Sequence, residues 1–404
     1  MPVSRSWLLI LWTAVVFWWL PPVVNAASHG DGTGEAIPAG EQKPPLQIAL
    51  SLALSGPYAP MGHSQQRAFR LWQRDINAAG GILGRPVELT IVDDQSRPQR
   101  AREIYRKFLE EEPPDLFFAP FSSEITGEIM PLLEEQQYPL LASGAAADEL
   151  WEQGYRYLFG IFTPAGKFTF SLLEMLTAHG VEELAVFYTE DPLSRSAAKG
   201  SLRWARWLGL QVELRQQYNP KQADYRELVE NARRAGVEAV ILAGHLHEAV
   251  VMRQAMVEVG WQPRVYYATQ GPGNDTFVEK LGEAADGVFG TEQWQYLGGV
   301  TADRRSEEFV HNYQQQYGKF PDYFAFTAYS AGLILARAVE ETGGLERPAI
   351  RDTLAGLDIQ CITGRFRVDE RGRQSRNFTL VTQRQDGRLE VVWPQKLMTA
   401  EPRL

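Results

Sequence analysis

Cysteine is the scarcest residue: Cys361 stands alone in 404 residues, which excludes an internal disulfide. Histidine is nearly as sparse, with six scattered copies. His245 and His247 alternate just after a strand end, but no acid or cysteine cluster stands beside them, and no metal site is expected. There is no G-x-S-x-G elbow, no Walker loop and no H-E-x-x-H helix, so the commoner hydrolytic, phosphoryl-transfer and zinc chemistries lack their residues. A positive excess is missing too. The formal net charge of −10 argues against nucleic acid and gives no membrane-surface footprint. Asp93-Asp94 reads as the polar exit of a strand, and the Glu runs at 110–112 and 134–135 as solvated helix ends. No catalytic constellation and no cofactor are expected.

The one long apolar run lies at the N-terminus. Arg5 precedes residues 7–20, which are apolar, and Pro21-Pro22 and the small-residue site Val24-Asn25-Ala26 follow. This order is that of a secretory signal peptide over residues 1–26. Residues 7–24 are only borderline for a membrane span, so cleavage is favoured over an uncleaved anchor. Removing Arg5 and no acid takes the net charge from −10 to −11. No Cys stands at the cleavage site, which excludes lipidation there. Residues 27–45, rich in Gly, Ala, Glu and Pro, read as a disordered tether. The remainder is long enough for two domains with sizeable cores.

From residue 46 onwards, short continuous apolar runs alternate with amphipathic helical patterns, the mark of parallel strands buried on both faces. Strands are expected near 47–54, 87–92, 116–119 and 139–142, then at 184–188, 211–214, 239–243, 265–268 and 287–291. Helices fall between them, with Phe69, Trp72 and Ile76 on one face of the first and a long helix over 324–341. The tail changes character: 366–369, 378–382 and 389–393 read as antiparallel strands joined by Asp-Glu-Arg-Gly and Gln-Asp-Gly turns.

Residues 115–147 form the centre of this pattern: strand, turn, helix, strand, turn. Ser122 and Ser123 sit where an N-cap belongs, so free amides point out of the sheet's carboxyl edge. Ligands bind at that edge in open α/β sheets, and a helix N-terminus there suits a carboxylate. Three first-half loops (55–62, 120–123, 143–147) and three second-half loops (189–196, 244–248, 269–274) make two lobes facing one small molecule.

The chain resembles the periplasmic binding proteins for branched-chain amino acids and amides, the type I solute-binding fold of ABC importers. The resemblance rests on Ser55-Gly56-Pro57, the run from Asp75-Ile76-Asn77 to Leu83-Gly84, Asp93-Asp94, Pro120-Phe121-Ser122-Ser123, Pro321-Asp322 and Thr363-Gly364, and it covers residues 46–393. It implies an α/β chain with two Rossmann-like lobes, three hinge crossovers near 161–164, 291–295 and 362–364, and an antiparallel C-terminal strand segment. The lobes would comprise 46–162 plus 295–362 and 163–294 plus 363–395. It further implies a non-catalytic, monomeric periplasmic protein that takes a small-molecule ligand to ABC permease subunits. A receptor presenting its ligand to a membrane sensor is the alternative, and a hydrolase of small amides the remotest reading.

By the same resemblance, Ser123 or Ser122 would bind a ligand carboxylate, and the backbone of Gly144, Ala145 and Ala146 would hold ammonium and carboxylate. Tyr58, Met61 and Phe324 would form first-lobe walls; Leu193, His245 and Gln270 would come from the second lobe. Three positions depart from similar amino-acid binders, which carry Thr at Ala146, Tyr-Gly at Leu193-Ser194 and an acid at Gln270. That acid pairs with the ligand ammonium, and an unpaired buried cation costs several kcal/mol. A ligand without an ammonium group is therefore expected.

Overall fold

A computed structural model describes residues 43–297 and 304–404; the expected leader and nearly all of the expected tether lie outside them. The chain order begins β1 (Leu46–Leu52), α1 (Ala59–Ala78), β2 (Val87–Asp93), α2 (Pro98–Glu111), β3 (Leu116–Phe118) and α3 (Ser123–Glu135). It continues through β4 (Leu140–Ala142), α4 (Asp148–Glu152), β5 (Leu158–Gly160), α5 (Phe170–Ala178), β6 (Glu183–Tyr188) and α6 (Pro192–Leu208). Next come β7 (Gln211–Gln217), α7 (Tyr225–Arg234), β8 (Ala239–Ala243), α8 (Leu246–Val259), β9 (Val265–Ala268), α9 (Asp275–Leu281) and β10 (Phe289–Glu292). The last part holds α10 (Arg304–Tyr317), α11 (Tyr323–Thr342), α12 (Arg347–Gly356), β11 (Ile359–Cys361), β12 (Gly364–Phe366), β13 (Leu380–Gln385) and β14 (Arg388–Trp393).

The first lobe is built on a parallel sheet in the order β2-β1-β3-β4-β5, the second on β14-β13-β10-β9-β8-β6-β7. β13 and β14 run antiparallel to their neighbours; the rest of the second sheet is parallel. Strands such as β8 are buried along their whole length, which is why they read as unbroken apolar runs rather than alternating ones. In each sheet the chain order reverses once, between β1 and β3 and between β6 and β8. Those reversals open the crevices where ligands bind in this architecture.

Packing makes the lobes firm. Trp72 on α1 and Gly332 on α11 touch so closely that a Cβ at 332 would stand 2.3 Å from the indole. Trp72 also meets the edge of Phe118 at 5.6 Å, and Phe69 lies 4.7 Å from the same ring. Each such side chain, fully buried, contributes roughly 1.5–3 kcal/mol.

Two features differ from expectation. Residues 366–369 do not form a strand of the second sheet: β12 pairs with β11 as a separate hairpin, and Val368 makes only an isolated bridge to Gln374. The cause is the two-residue turn Ile362-Thr363, closed by Gly364 at φ +97° and held by Arg365 on Asp358. β5, just before the crossover expected at 161–164, also adds a fifth strand to the first sheet where no strand was expected. Near the crossovers, Thr163 N donates to Gln293 Oε1 at 2.9 Å, and the Ser330 and Thr363 hydroxyls share a 3.1 Å bond.

Candidate functional site

The loops after β1, β3 and β4 face those after β6, β8 and β9, and the lobes touch. Arg195 on α6 bridges to Glu149 on α4 at 2.8 Å. Asp148 N donates to Ser196 Oγ at 3.1 Å, Gly166 N to Asp148 Oδ2 at 2.6 Å and Ala165 N to Ala146 O at 2.7 Å. Met61, Phe121, Ala146 and Phe324 of the first lobe merge with the second lobe's core. This is a closed clamp.

Tyr58 begins α1 and is placed by its own amide, which donates to Ser96 Oγ at 3.1 Å. Its ring meets Phe121 edge-on at 5.6 Å and lies 5.3 Å from the His245 ring. Phe121 continues the aromatic wall to Phe324 at 5.5 Å. Met61 and Leu193 are 2% and 6% exposed, and both belong to the same core.

The two serines part company. Ser123 Oγ accepts from Ala146 N at 3.0 Å and Ala147 N at 3.1 Å, so it fixes the 143–147 loop. Ala146 has spent both backbone groups, its amide on Ser123 and its carbonyl on Ala165. Ser122 is the N-cap of α3 yet makes no side-chain capping bond, and the residue as a whole is 5% exposed. Gly144 lies against Phe121, where a Cβ would approach to 2.5 Å, and Ala145 is fully buried.

Across the cleft the second lobe presents a fixed charge pair. Asp191 caps α6 by accepting from Ser194 N at 3.1 Å and also accepts from the Thr189 hydroxyl. His245 Nε2 stands 3.1 Å from Asp191 Oδ1, at ion-pairing distance. Burial alone would raise the Asp191 pKa, but His245 and the hydrogen bonds hold it well below the usual carboxylate range. Burial alone would lower that of His245; Tyr58, Asp191 and Glu248 instead raise it well above the ordinary value. The charge contact with Asp191 favours the imidazolium form of His245, in which both ring nitrogens carry a proton, although Nε2 makes no hydrogen bond among the described residues. Its Nδ1 lies 3.2 Å from Gln270 Oε1. With Nδ1 protonated, that contact engages the amide oxygen of Gln270.

The structure brings Tyr58 against His245 and His245 against Gln270, with Phe324 and Gly144 joined to Tyr58 through Phe121; Ser123 is bonded to Ala146. Asp191 was missed, although Asp191-Pro192 has the form of an N-cap followed by proline at the first helical position. Phe121 was missed as a wall. Among the described residues no group of three His, Cys, Asp or Glu is placed to hold a metal ion, and no helix is long and apolar enough to cross a membrane.

The family model described as periplasmic binding protein matches residues 45–388. Leu/Ile/Val-binding protein homolog 7 of Brucella abortus (strain 2308) is 26% identical over 378 residues, covering 89% of this chain and 94% of that one. The branched-chain amino acid transporter substrate binding protein LivJ of Streptococcus pneumoniae, solved with isoleucine, superposes with a TM-score of 0.77 at 20% identity over 87% of this chain and 100% of its own. A solute binding protein of an ABC transporter from R. palustris, solved with benzoate, gives 0.74 at 18% identity over 89% and 99%.

Proposed function

Because the chain belongs to the periplasmic binding protein family, we propose that it captures a small carboxylate lacking an α-ammonium group and delivers it to the permease of an ABC importer. The family's name places such a protein in the periplasm, and a cleaved leader over residues 1–26 would bring it there. The observation that carries the ligand class is the engagement of Gln270 Oε1 by His245. Where similar amino-acid binders carry an acid, this cleft offers an amide whose oxygen is already occupied, beside a cation that has its own counter-ion. A protonated amine there would compete with His245 for the nearby acids Asp191, Glu124 and Glu248, and a buried charge without its own partner costs several kcal/mol. A carboxylate meets donors instead: Ser122, the Gln270 NH2 group, and the free amides at the start of α3. Relatives are named for Leu/Ile/Val or were solved with isoleucine and with benzoate, so both ligand classes fit this fold.

Calorimetry with leucine and 4-methylpentanoate on the native protein and on Gln270→Glu tests the reading. The deaminated acid should bind at least about tenfold more tightly to the native protein, since ~1.4 kcal/mol separates a decade. Gln270→Glu should move the ratio towards leucine by about tenfold, because charge-assisted bonds are about twice as strong as neutral ones. Tight leucine binding by the native protein would overturn the proposal and restore the plain branched-chain amino acid reading.

A further inference from the structure

The cleft does not end at Gln270. A small void of about 10 Å³ lies among Gln270, Phe324, Asn274, Glu292 and Asp322, and the last three also line a neighbouring cleft of about 440 Å³ that includes Arg67 and Lys319; a ligand reaching Glu292 would widen the void as the lobes adjust. Glu292 closes β10 and is 3% exposed, yet its Oε1 has no hydrogen-bond partner. It has room only because residue 273 is glycine: a Cβ there would stand 1.7 Å from Oε1. Arg384, the nearby cation, gives its Nε to Pro272 O at 2.7 Å and forms no ion pair with Glu292 among the described residues. Asp322, the half-buried acid beside it, has a structural task, capping α11 by accepting from Ala325 N at 3.0 Å and also accepting from the Ser64 hydroxyl. Burial first, and Asp322 next, push the pKa of Glu292 well up. A buried carboxyl oxygen left without a donor is costly, and native proteins keep such groups where something else completes them.

We propose that Glu292 Oε1 accepts a hydrogen bond from an N–H group at the far end of the bound carboxylate, so that the ligand is a carboxylic acid carrying a remote amine or amide. This rests on the carboxylate reading above and extends it: Ser122 and Gln270 hold one end of the ligand, and Glu292 selects the other. Phe324, which borders both places, would lie along the ligand's apolar middle. The distinction from an amino acid is positional. The N–H group Glu292 serves is separated from the carboxylate by the length of the ligand.

Matched probes decide it: butanoate with 4-aminobutanoate, hexanoate with 6-aminohexanoate, and benzoate with 4-aminobenzoate and 4-carbamoylbenzoate, each titrated calorimetrically. In at least one set the donor-bearing acid should bind tenfold or more tightly than its parent. Glu292→Ala should reduce that ratio below threefold. Gly273→Ala should do the same by displacing the carboxyl group, so a folding defect in one variant does not remove the test. If parents bind but no donor adds affinity, or if the ratio survives both substitutions, Glu292 is not the acceptor and the carboxylate reading stands. If no carboxylate binds at all, both fall.

Discussion

Asp191→Asn should destabilise the protein by an amount that depends on pH, because it removes the counter-ion of a buried imidazolium. Removing one partner of a buried pair costs about 3–5 kcal/mol. The His245 and Asp191 side chains keep 12% and 18% of their exposure, and solvent screening trims the loss to about 2–3 kcal/mol. An unfolding entropy of about 2.1 cal/mol/K per residue over roughly 360 residues gives ~0.75 kcal/mol/K, so Tm should fall by about 3–4 °C. Both residues lie on the second lobe, so the effect needs no ligand and no closure.

The sign of the pH dependence follows from the two shifts. His245 has a folded pKa above its unfolded one, so its contribution is whole below about pH 6.5 and is lost as pH rises through the folded value. Asp191 has a depressed folded pKa, so its contribution is present above about pH 4 and is lost as pH falls towards the folded value. The Tm difference between native protein and variant should be greatest between about pH 4 and 6.5 and narrow towards alkaline pH. Asp94, pushed up to about 6 by burial, and Glu292 titrate in both proteins and cancel in the difference. Differential scanning calorimetry from pH 5 to 9 reads it. A difference that is absent, or that stays constant across the range, would refute the charge pair.

Ser122→Ala should weaken carboxylate binding by about 1.5–3 kcal/mol, the range for a hydrogen bond to a charged group; unchanged affinity by calorimetry would move the carboxylate elsewhere. Ser123→Ala should instead lower thermal stability by about 1–3 kcal/mol, since two buried amides lose their acceptor, and an unchanged Tm would show that water replaces the hydroxyl at no cost. Arg195→Ala removes the part-exposed bridge to Glu149, worth at most about 1 kcal/mol, so apparent affinity should drop no more than about fivefold. Small-angle scattering of the native protein should show a smaller radius of gyration on saturation with a bound carboxylate, by hinge closure; an unchanged radius would count against that movement.

What could be read from the sequence is what local rules decide. Continuous apolar runs at β6 and β8 are buried strands because neighbouring strands and helices cover both faces, and the alternation with helices fixes the parallel sheets. The loops at 120–123, 189–196 and 244–248 follow from those strands, and their meeting at one cleft follows from the strand order. Inside the loops, local rules stop deciding. Whether Ser122 or Ser123 faces a ligand depends on which hydroxyl the amides of Ala146 and Ala147 claim, and those lie on another strand's exit. The β11–β12 hairpin is invisible in the mixed triplet Ile359-Gln360-Cys361, because a turn rather than a pattern creates it. Glu292 reads as an ordinary strand end until Gly273 and the start of α11 enclose it.

The charge of the cleft carries the same lesson further. A histidine at 245 and a glutamine at 270 look like two neutral polar residues, which together would leave a weak acceptor for an ammonium group. Asp191, placed by its own helix cap, favours the cationic form of His245; that cation then engages the oxygen of the Gln270 amide, which on the proposed reading leaves its NH2 group for a ligand. Three residues from the ends of three strands thus set one preference, and no one of them shows it alone. On the proposed reading, an amide at 270 where the resemblance implies an acid does more than remove a counter-ion: with His245 charged it would reverse the polarity that a ligand meets. Selectivity at this position therefore belongs to the pair. Gln270→Glu alone would add one more carboxylate to those already facing His245, and the glutamate would be shared between imidazolium and ligand, which sets the expected gain for leucine near tenfold rather than at the full strength of a dedicated acid.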